Sequence, residues 1–164
     1  RKKNINVVQK FLENIKVDDL PSAPKSFVSF ELFEHLHNPK EFFKTLKNNM
    51  SKNDIFIFTT LSGMGIDIQV LNNYHQALSP PQHLNFFNPK SIKFFLEQNS
   101  FEVLDIQTPG KLDFDILLNN SDKIDNRFIK NILKYLSDEE LNKFQNFISD
   151  SGLSSHMMIT CKLK

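Results

Sequence analysis

The chain has 164 residues, 40% of them hydrophobic, and a net charge of +1, which fits a single globular domain. Basic and acidic residues are interspersed, so the sequence lacks the basic stripe that duplex nucleic acid needs. It also lacks the run of about 18 apolar residues that a membrane span requires. The single cysteine, Cys161, excludes an internal disulfide. It predicts a cytoplasmic protein with this thiol at a buried strand position.

Strand and helix signals alternate in the first half of the chain. Apolar residues suggest a short strand at 5–8, and the run at 27–30 predicts a strand buried on both faces. We expect a helix over 39–46, because Asn38 can cap it and a proline at the first helical position loses no needed donor. β-branched and aromatic residues at 55–60 predict the clearest strand of the chain.

A long irregular segment, 61–88, opens the second half, with a short helix expected over 67–72. Loops of this length in a compact domain are usually functional, so we interpret it as a substrate-side loop. Asn88 and the proline after it repeat the cap-and-proline opening, which predicts a helix over 89–98. Alternating residues at 101–108 then predict a strand.

The segment 109–150 is a helical insertion before the last strand. Its predicted helices cover 112–118, 126–136 and 138–149. The final strand, 157–163, is expected to pair antiparallel with 101–108, because no other strand lies between them. Strands that alternate with helices in this way indicate an α/β fold.

Two carboxylates and an imidazole lie between the strand at 27–30 and the helix that follows it. If this stretch turns helically, Glu31, Glu34 and His35 share one face. The carboxyl end of a strand in a doubly wound sheet is where ligands bind. A plainer interpretation stays open, in which the carboxylates favour a helix start and the histidine only packs.

The phrase F-E-L-F-E-H-L-H-N-P-K-E-F at 30–42 resembles one that follows the fourth strand of class I S-adenosylmethionine-dependent methyltransferases. The resemblance continues at 54–60, 80–89 and 99–104, and covers nearly the whole chain. It implies one domain over 1–164 with a Rossmann-like sheet, mostly parallel with a C-terminal antiparallel strand. The family strand order is 3-2-1-4-5-7-6. The implied methyl donor is S-adenosylmethionine, with Phe30 and Glu31 as cofactor-binding residues.

The sequence departs from this family at its front. The family binds its cofactor with a glycine-rich turn after the first strand and an acidic residue after the second, and neither is present here. The resemblance therefore implies that the first two strands are absent from this chain. The strand at 27–30 would then have one unpaired edge, which is an aggregation hazard. We expect a preceding N-terminal segment or a partner to cover that edge, and poor cofactor binding without it.

A narrower resemblance concerns metal binding. The small-RNA 2′-O-methyltransferases and the ubiquinone-pathway O-methyltransferases share an E-x-x-E-H cluster that binds a divalent metal. In the RNA enzymes, a later histidine in a loop with two prolines completes the site. The matching residues here are Glu31, Glu34, His35 and His83. They would hold Mg or Mn, and this donor set also suits Fe or Zn. Such a metal lowers the pKa of a substrate hydroxyl and fixes its oxygen.

His83 and Glu34 are the candidate catalytic residues. His83 has three open roles: metal ligand, metal-free general base, or hydrogen-bonding partner within its loop. The predicted function is methyl transfer to oxygen of a small metabolite or a sugar-containing acceptor. One alternative is a non-catalytic, methyltransferase-like structural or interaction module. Another is metal-dependent RNA 2′-O-methylation, which the missing basic surface disfavours.

Overall fold

The computed structural model describes residues 7–22 and 24–164, and the described part contains one four-stranded sheet. The strands are β1 (Ser26–Ser29), β2 (Ile55–Leu61), β3 (Phe101–Gln107) and β4 (His156–Leu163). Their order across the sheet is β1-β2-β4-β3.

Six α-helices connect these strands in the described part of the chain. They are α1 (Pro39–Asn49), α2 (Ile66–Leu71), α3 (Pro89–Gln98), α4 (Asp113–Asn119), α5 (Arg127–Tyr135) and α6 (Asp138–Asp150). The side chains of Asn38 and Asn88 accept hydrogen bonds from the first turns of α1 and α3, as the cap-and-proline pattern predicts. Among the described residues, none of the helices is both long and apolar enough to cross a membrane.

Strand directions confirm the predicted sheet. β1 pairs parallel with β2, and β4 lies antiparallel between β2 and β3. Three strands therefore point the same way and the C-terminal strand opposes them. Cys161 is buried on β4, as predicted, and burial raises the pKa of its thiol to about 12.

One expectation about the first part of the chain is wrong. β1 is not buried on both faces: it is an edge strand of the described sheet, where Phe27 packs on the core and Val28 is 59% exposed. Residues 5 and 6 of the strand suggested at 5–8 lie outside the described residues, so that prediction is not tested there. Val7 and Val8 are in no regular element. The apolar run at 27–30 predicted the strand, but it could not show that the described residues leave one of its faces uncovered.

The apolar residues form two clusters. The first fills the space between one face of the sheet and helices α1 and α3, and it is rich in phenylalanine: Phe33, Phe42, Phe43, Phe56, Phe58 and Phe101. The second lies among α2, α4, α5 and α6: Leu71, Phe114, Leu117, Ile124, Ile129, Ile132, Leu141 and Ile148. The helices of the predicted insertion 109–150 thus share a second core with α2.

A buried carboxylate secures the start of β2. Asp54 accepts hydrogen bonds from the backbone N–H groups of Lys25 and Ser51, and the Lys25 ammonium lies 2.9 Å from it. Burial raises the pKa of Asp54, but these hydrogen bonds and the lysine charge together outweigh burial. The pKa therefore lies below its ordinary value of 3.8.

We expect Asp54→Asn to lower the free energy of unfolding by about 1–3 kcal/mol at neutral pH, because it removes the charge that Lys25 faces. The native carboxylate stabilises the fold above its unfolded pKa. Its contribution is lost as the pH falls through the lower folded value. The difference between the two proteins should therefore shrink in acid. Urea unfolding at neutral and acidic pH measures this. A constant difference would contradict it, and the exposed Asp105→Asn is the control.

Candidate active site

The candidate site lies at the carboxyl ends of β1 and β2, which meet at one edge of the sheet because the two strands are parallel. A 3₁₀ turn, Phe33–His35, follows β1 and carries Glu34 and His35. Phe33 anchors this turn in the core, with its ring 5.6 Å from that of Phe43. The turn therefore holds its two polar side chains on a rigid support.

Glu34 is buried, with 2% of its surface exposed. Its Oε2 accepts a hydrogen bond of 2.9 Å from Thr60 Oγ1 at the end of β2. Its backbone carbonyl accepts from the N–H groups of Leu84 and Asn85, which tie the 61–88 loop to this turn. One carboxylate oxygen is thus satisfied by Thr60, and the other, Oε1, faces His35 at 3.9 Å.

The two histidines of the site are held in the same way. His35 Nδ1 lies 2.7 Å from the carbonyl oxygen of Gln82, and His83 Nδ1 lies 2.8 Å from that of Ala77. A carbonyl oxygen only accepts, so each Nδ1 carries a proton, and the tautomer that this selects has its lone pair on Nε2. The ring centroids are 4.7 Å apart. Both histidines therefore offer a basic nitrogen from an oriented ring.

Glu34, His35 and His83 form what we call the acid–histidine cluster. Each offers one ligand atom, and these atoms lie within 4.8 Å of one another. One carboxylate and two imidazoles whose far nitrogens donate to backbone carbonyls are a donor set that suits a divalent transition metal. The same atoms can instead accept a proton from a bound hydroxyl. The sequence-predicted residues are thus brought together, with one exception.

Glu31 lies apart from this cluster. Its backbone is in the left-handed region, with φ at 49°, so the stretch does not turn helically from Glu31 to His35. Its Oε1 accepts a 2.6 Å hydrogen bond from Thr59 Oγ1 and lies 3.5 Å from His156 Nδ1. The expectation that Glu31 shares a face with Glu34 is therefore wrong.

The structure places the predicted cofactor residues at an open edge. Phe30 is 65% exposed beside Glu31, just past the end of β1. None of the four glycines of the sequence lies in a G-x-G-x-x-G arrangement. The described residues do not by themselves fit S-adenosylmethionine.

Some residues that shape the site were missed by the sequence reasoning. Thr59 and Thr60 each bind one of the carboxylates, and their position at the end of a buried strand was the available signal. The Asn85 side chain donates to the carbonyl of Leu36 at 2.6 Å and so also fastens the loop. His75 is buried, with Nε2 3.0 Å from Asp67 Oδ2.

Residues 2–106 match the family model described as a methyltransferase domain, which is more than half of the chain. A solved structure of an S-adenosylmethionine-dependent methyltransferase from Archaeoglobus fulgidus is 17% identical, with a TM-score of 0.56. The match covers 97% of this chain and 68% of the Archaeoglobus fulgidus chain. One from Mesorhizobium loti is 11% identical, with a TM-score of 0.53, over 99% of this chain and 71% of its own. At these identities the likeness shows the fold. A search of curated proteins found no match.

Proposed function

Because this chain belongs to the methyltransferase-domain family, we propose that it transfers a methyl group from S-adenosylmethionine to an oxygen of a small-molecule acceptor. We place the acceptor oxygen at the acid–histidine cluster. The observation that supports this is the convergence of one buried carboxylate and two imidazoles, each ring anchored through Nδ1. A hydroxyl must lose its proton as it is methylated, and a basic nitrogen at this edge of the sheet can accept it.

The residues of the cluster have different tasks in this proposal. His83 accepts the proton of the acceptor hydroxyl on Nε2, because its Nδ1 is already committed to Ala77. Glu34 is held by Thr60 and stabilises the positive charge that the imidazole gains. His35 packs against His83 and keeps it oriented. Only His83 contacts the acceptor hydroxyl in this proposal, while Glu34 and His35 act through His83.

A divalent cation fits the same donor set. Glu34, His35 and His83 would hold it, while Glu31 is engaged elsewhere. When bound, it would supply a lower pKa for the acceptor hydroxyl. The anchored Nδ1 atoms support this proposal, because metal-binding histidines commonly donate their other N–H to a carbonyl or carboxylate.

The donor side of the reaction needs more than the described residues. We propose that a segment outside them, or a partner, covers the edge of β1 and completes the cofactor site next to Phe30 and Glu31. The exposure of two apolar residues supports this: Val28 on the edge strand β1 is 59% exposed, and Phe30, just past its end, is 65% exposed. Exposed apolar strand edges are normally paired, covered or charged.

Calorimetric titration of the full-length natural protein tests the proposal. We expect it to bind S-adenosylmethionine, and to bind Mn²⁺ with an affinity that Glu34→Gln lowers by at least about tenfold. Glutamine can still accept from Thr60, so this variant should fold. The exposed His37→Gln is the control. Full-length protein without donor binding would contradict the methyltransferase function. Equal Mn²⁺ affinity in Glu34→Gln would contradict the metal site alone.

A non-catalytic interaction module is the second candidate. The open edge of β1 in the described sheet favours it, because an exposed strand edge can pair with another chain. The donor titration separates the two candidates, because a module has no need to bind S-adenosylmethionine. RNA 2′-O-methylation stays in third place, since the charges of the sequence are interspersed and supply no basic stripe.

A further inference from the structure

A cavity of about 380 Å³ lies beyond the acid–histidine cluster, at the same end of the sheet. Its volume falls within the range of roughly 300–1,000 Å³ that is usual for small-molecule sites. The walls come from the end of β2, the start of β4, and the segment between β3 and α4. They include Leu61, Pro109, Leu112, Ile116 and His156. We call it the apolar cavity, because most of its lining surface is apolar.

A buried polar network fixes one wall of the apolar cavity. The Asp113 carboxylate, 2% exposed, accepts hydrogen bonds from Ser154 Oγ at 2.7 Å and from the N–H of Ser155 at 2.8 Å. Gln145 donates to the same carboxylate at 2.6 Å. Gly110 permits this close packing, since a Cβ there would collide with Ser154 Oγ. The wall is therefore formed before any ligand arrives.

One imidazole lines the apolar cavity. His156 is the first residue of β4 and pairs with Leu61, the last residue of β2. It is 37% exposed, and its Nδ1 lies 3.5 Å from Glu31 Oε1. Glu31 is in turn held by Thr59. Besides His156, the lining includes the polar residues Lys111, Asp113 and Ser155. A cavity with mostly apolar surface and a few polar groups is the usual composition of a small-molecule site.

We propose that the apolar cavity binds the hydrocarbon body of the methyl acceptor, and that His156 hydrogen-bonds a polar group of the acceptor other than the oxygen that is methylated at the acid–histidine cluster. This rests on the proposed function, and it specifies the acceptor class as an aromatic or aliphatic alcohol with a largely apolar body. Two connections link the apolar cavity to the acid–histidine cluster and to β1. Thr60, beside the cavity residue Leu61, holds Glu34, while Glu31 connects β1 to His156. The cavity and the cluster therefore both lie at the end of β2.

The test uses the full-length protein and α-naphthol as the probe, with its methyl ether as the analogue that cannot donate a hydrogen bond. We expect α-naphthol to shift the amide NMR signals of Leu61, Leu112 and Ser155. Ile116→Trp fills the cavity and should weaken binding by at least about tenfold. Leu118→Trp, on the same helix but outside the lining, should leave binding unchanged.

A second variant covers the case in which Ile116→Trp fails to fold. Leu112 is 62% exposed and precedes α4, where aspartate is a favourable cap, so Leu112→Asp should fold and still lose α-naphthol binding. His156→Phe should remove the preference for α-naphthol over its methyl ether. Absence of binding, or binding that neither cavity variant weakens, would overturn the proposal. The assay requires neither methyl donor nor turnover, so its failure is distinct from that of the proposed function.

Discussion

We expect His83→Gln to lower the rate of methyl transfer to hydroxyl acceptors by about 10²- to 10⁴-fold, the usual contribution of a positioned general base. The reason lies in the free Nε2 of His83. An amide cannot accept a proton at neutral pH, and it is a poor metal ligand beside an imidazole. The loss is therefore expected whether or not a metal binds at the cluster. Transfer of labelled methyl from S-adenosylmethionine to phenolic and sugar alcohols by the full-length protein measures it.

We expect His83→Gln to keep the fold of the loop. Its side-chain amide can donate to the Ala77 carbonyl, as His83 Nδ1 does at 2.8 Å. Donor affinity should stay unchanged, so that the loss appears in kcat. The exposed His37→Gln, which changes the same residue type, should keep the full rate. A His83→Gln protein with normal kcat would remove His83 from the chemistry and leave it as a loop residue.

Local signals in the sequence predicted much of the fold. Asn38 and Asn88 correctly predicted two helix starts, because an asparagine cap followed by proline is typical of the first turn of a helix. The resemblance at 30–42 implied the order of the four described strands, which the structure confirms as β1-β2-β4-β3. The family match over residues 2–106 confirms the predicted methyltransferase family. These features depend on short stretches whose chemistry is specific.

The site was harder to predict because it depends on backbone geometry and on long-range contacts. Spacing alone predicted that Glu31 lies beside Glu34. The left-handed backbone of Glu31 instead directs its side chain towards Thr59 and His156. A positive φ is uncommon for glutamate, so the residue type did not predict this backbone conformation. His83 was placed by resemblance, and only the docking of its loop on the carbonyl of Glu34 brings it to the cluster.

The rigidity of the site depends on the aromatic core beneath it, and Phe43 is at the centre of that core. Its side chain is fully buried on α1. Its ring lies 5.6 Å from Phe33, which precedes Glu34, and 5.1 Å from Phe101 on β3. Aromatic pairs at such separations contribute beyond the area that they bury. Loss of this ring should loosen both the sheet packing and the turn that holds the cluster.

We therefore expect Phe43→Ala to lower the free energy of unfolding by about 3–5 kcal/mol, because the cavity it leaves is lined by side chains anchored on the sheet. The matched control is Phe94→Ala on α3, whose side chain is 65% exposed and should cost less than about 0.5 kcal/mol. Urea unfolding of both variants measures the difference. Equal costs would mean that the core collapses around the missing ring. Glu34 would then owe its position to Thr60 and the 61–88 loop, independently of the packing below Phe33.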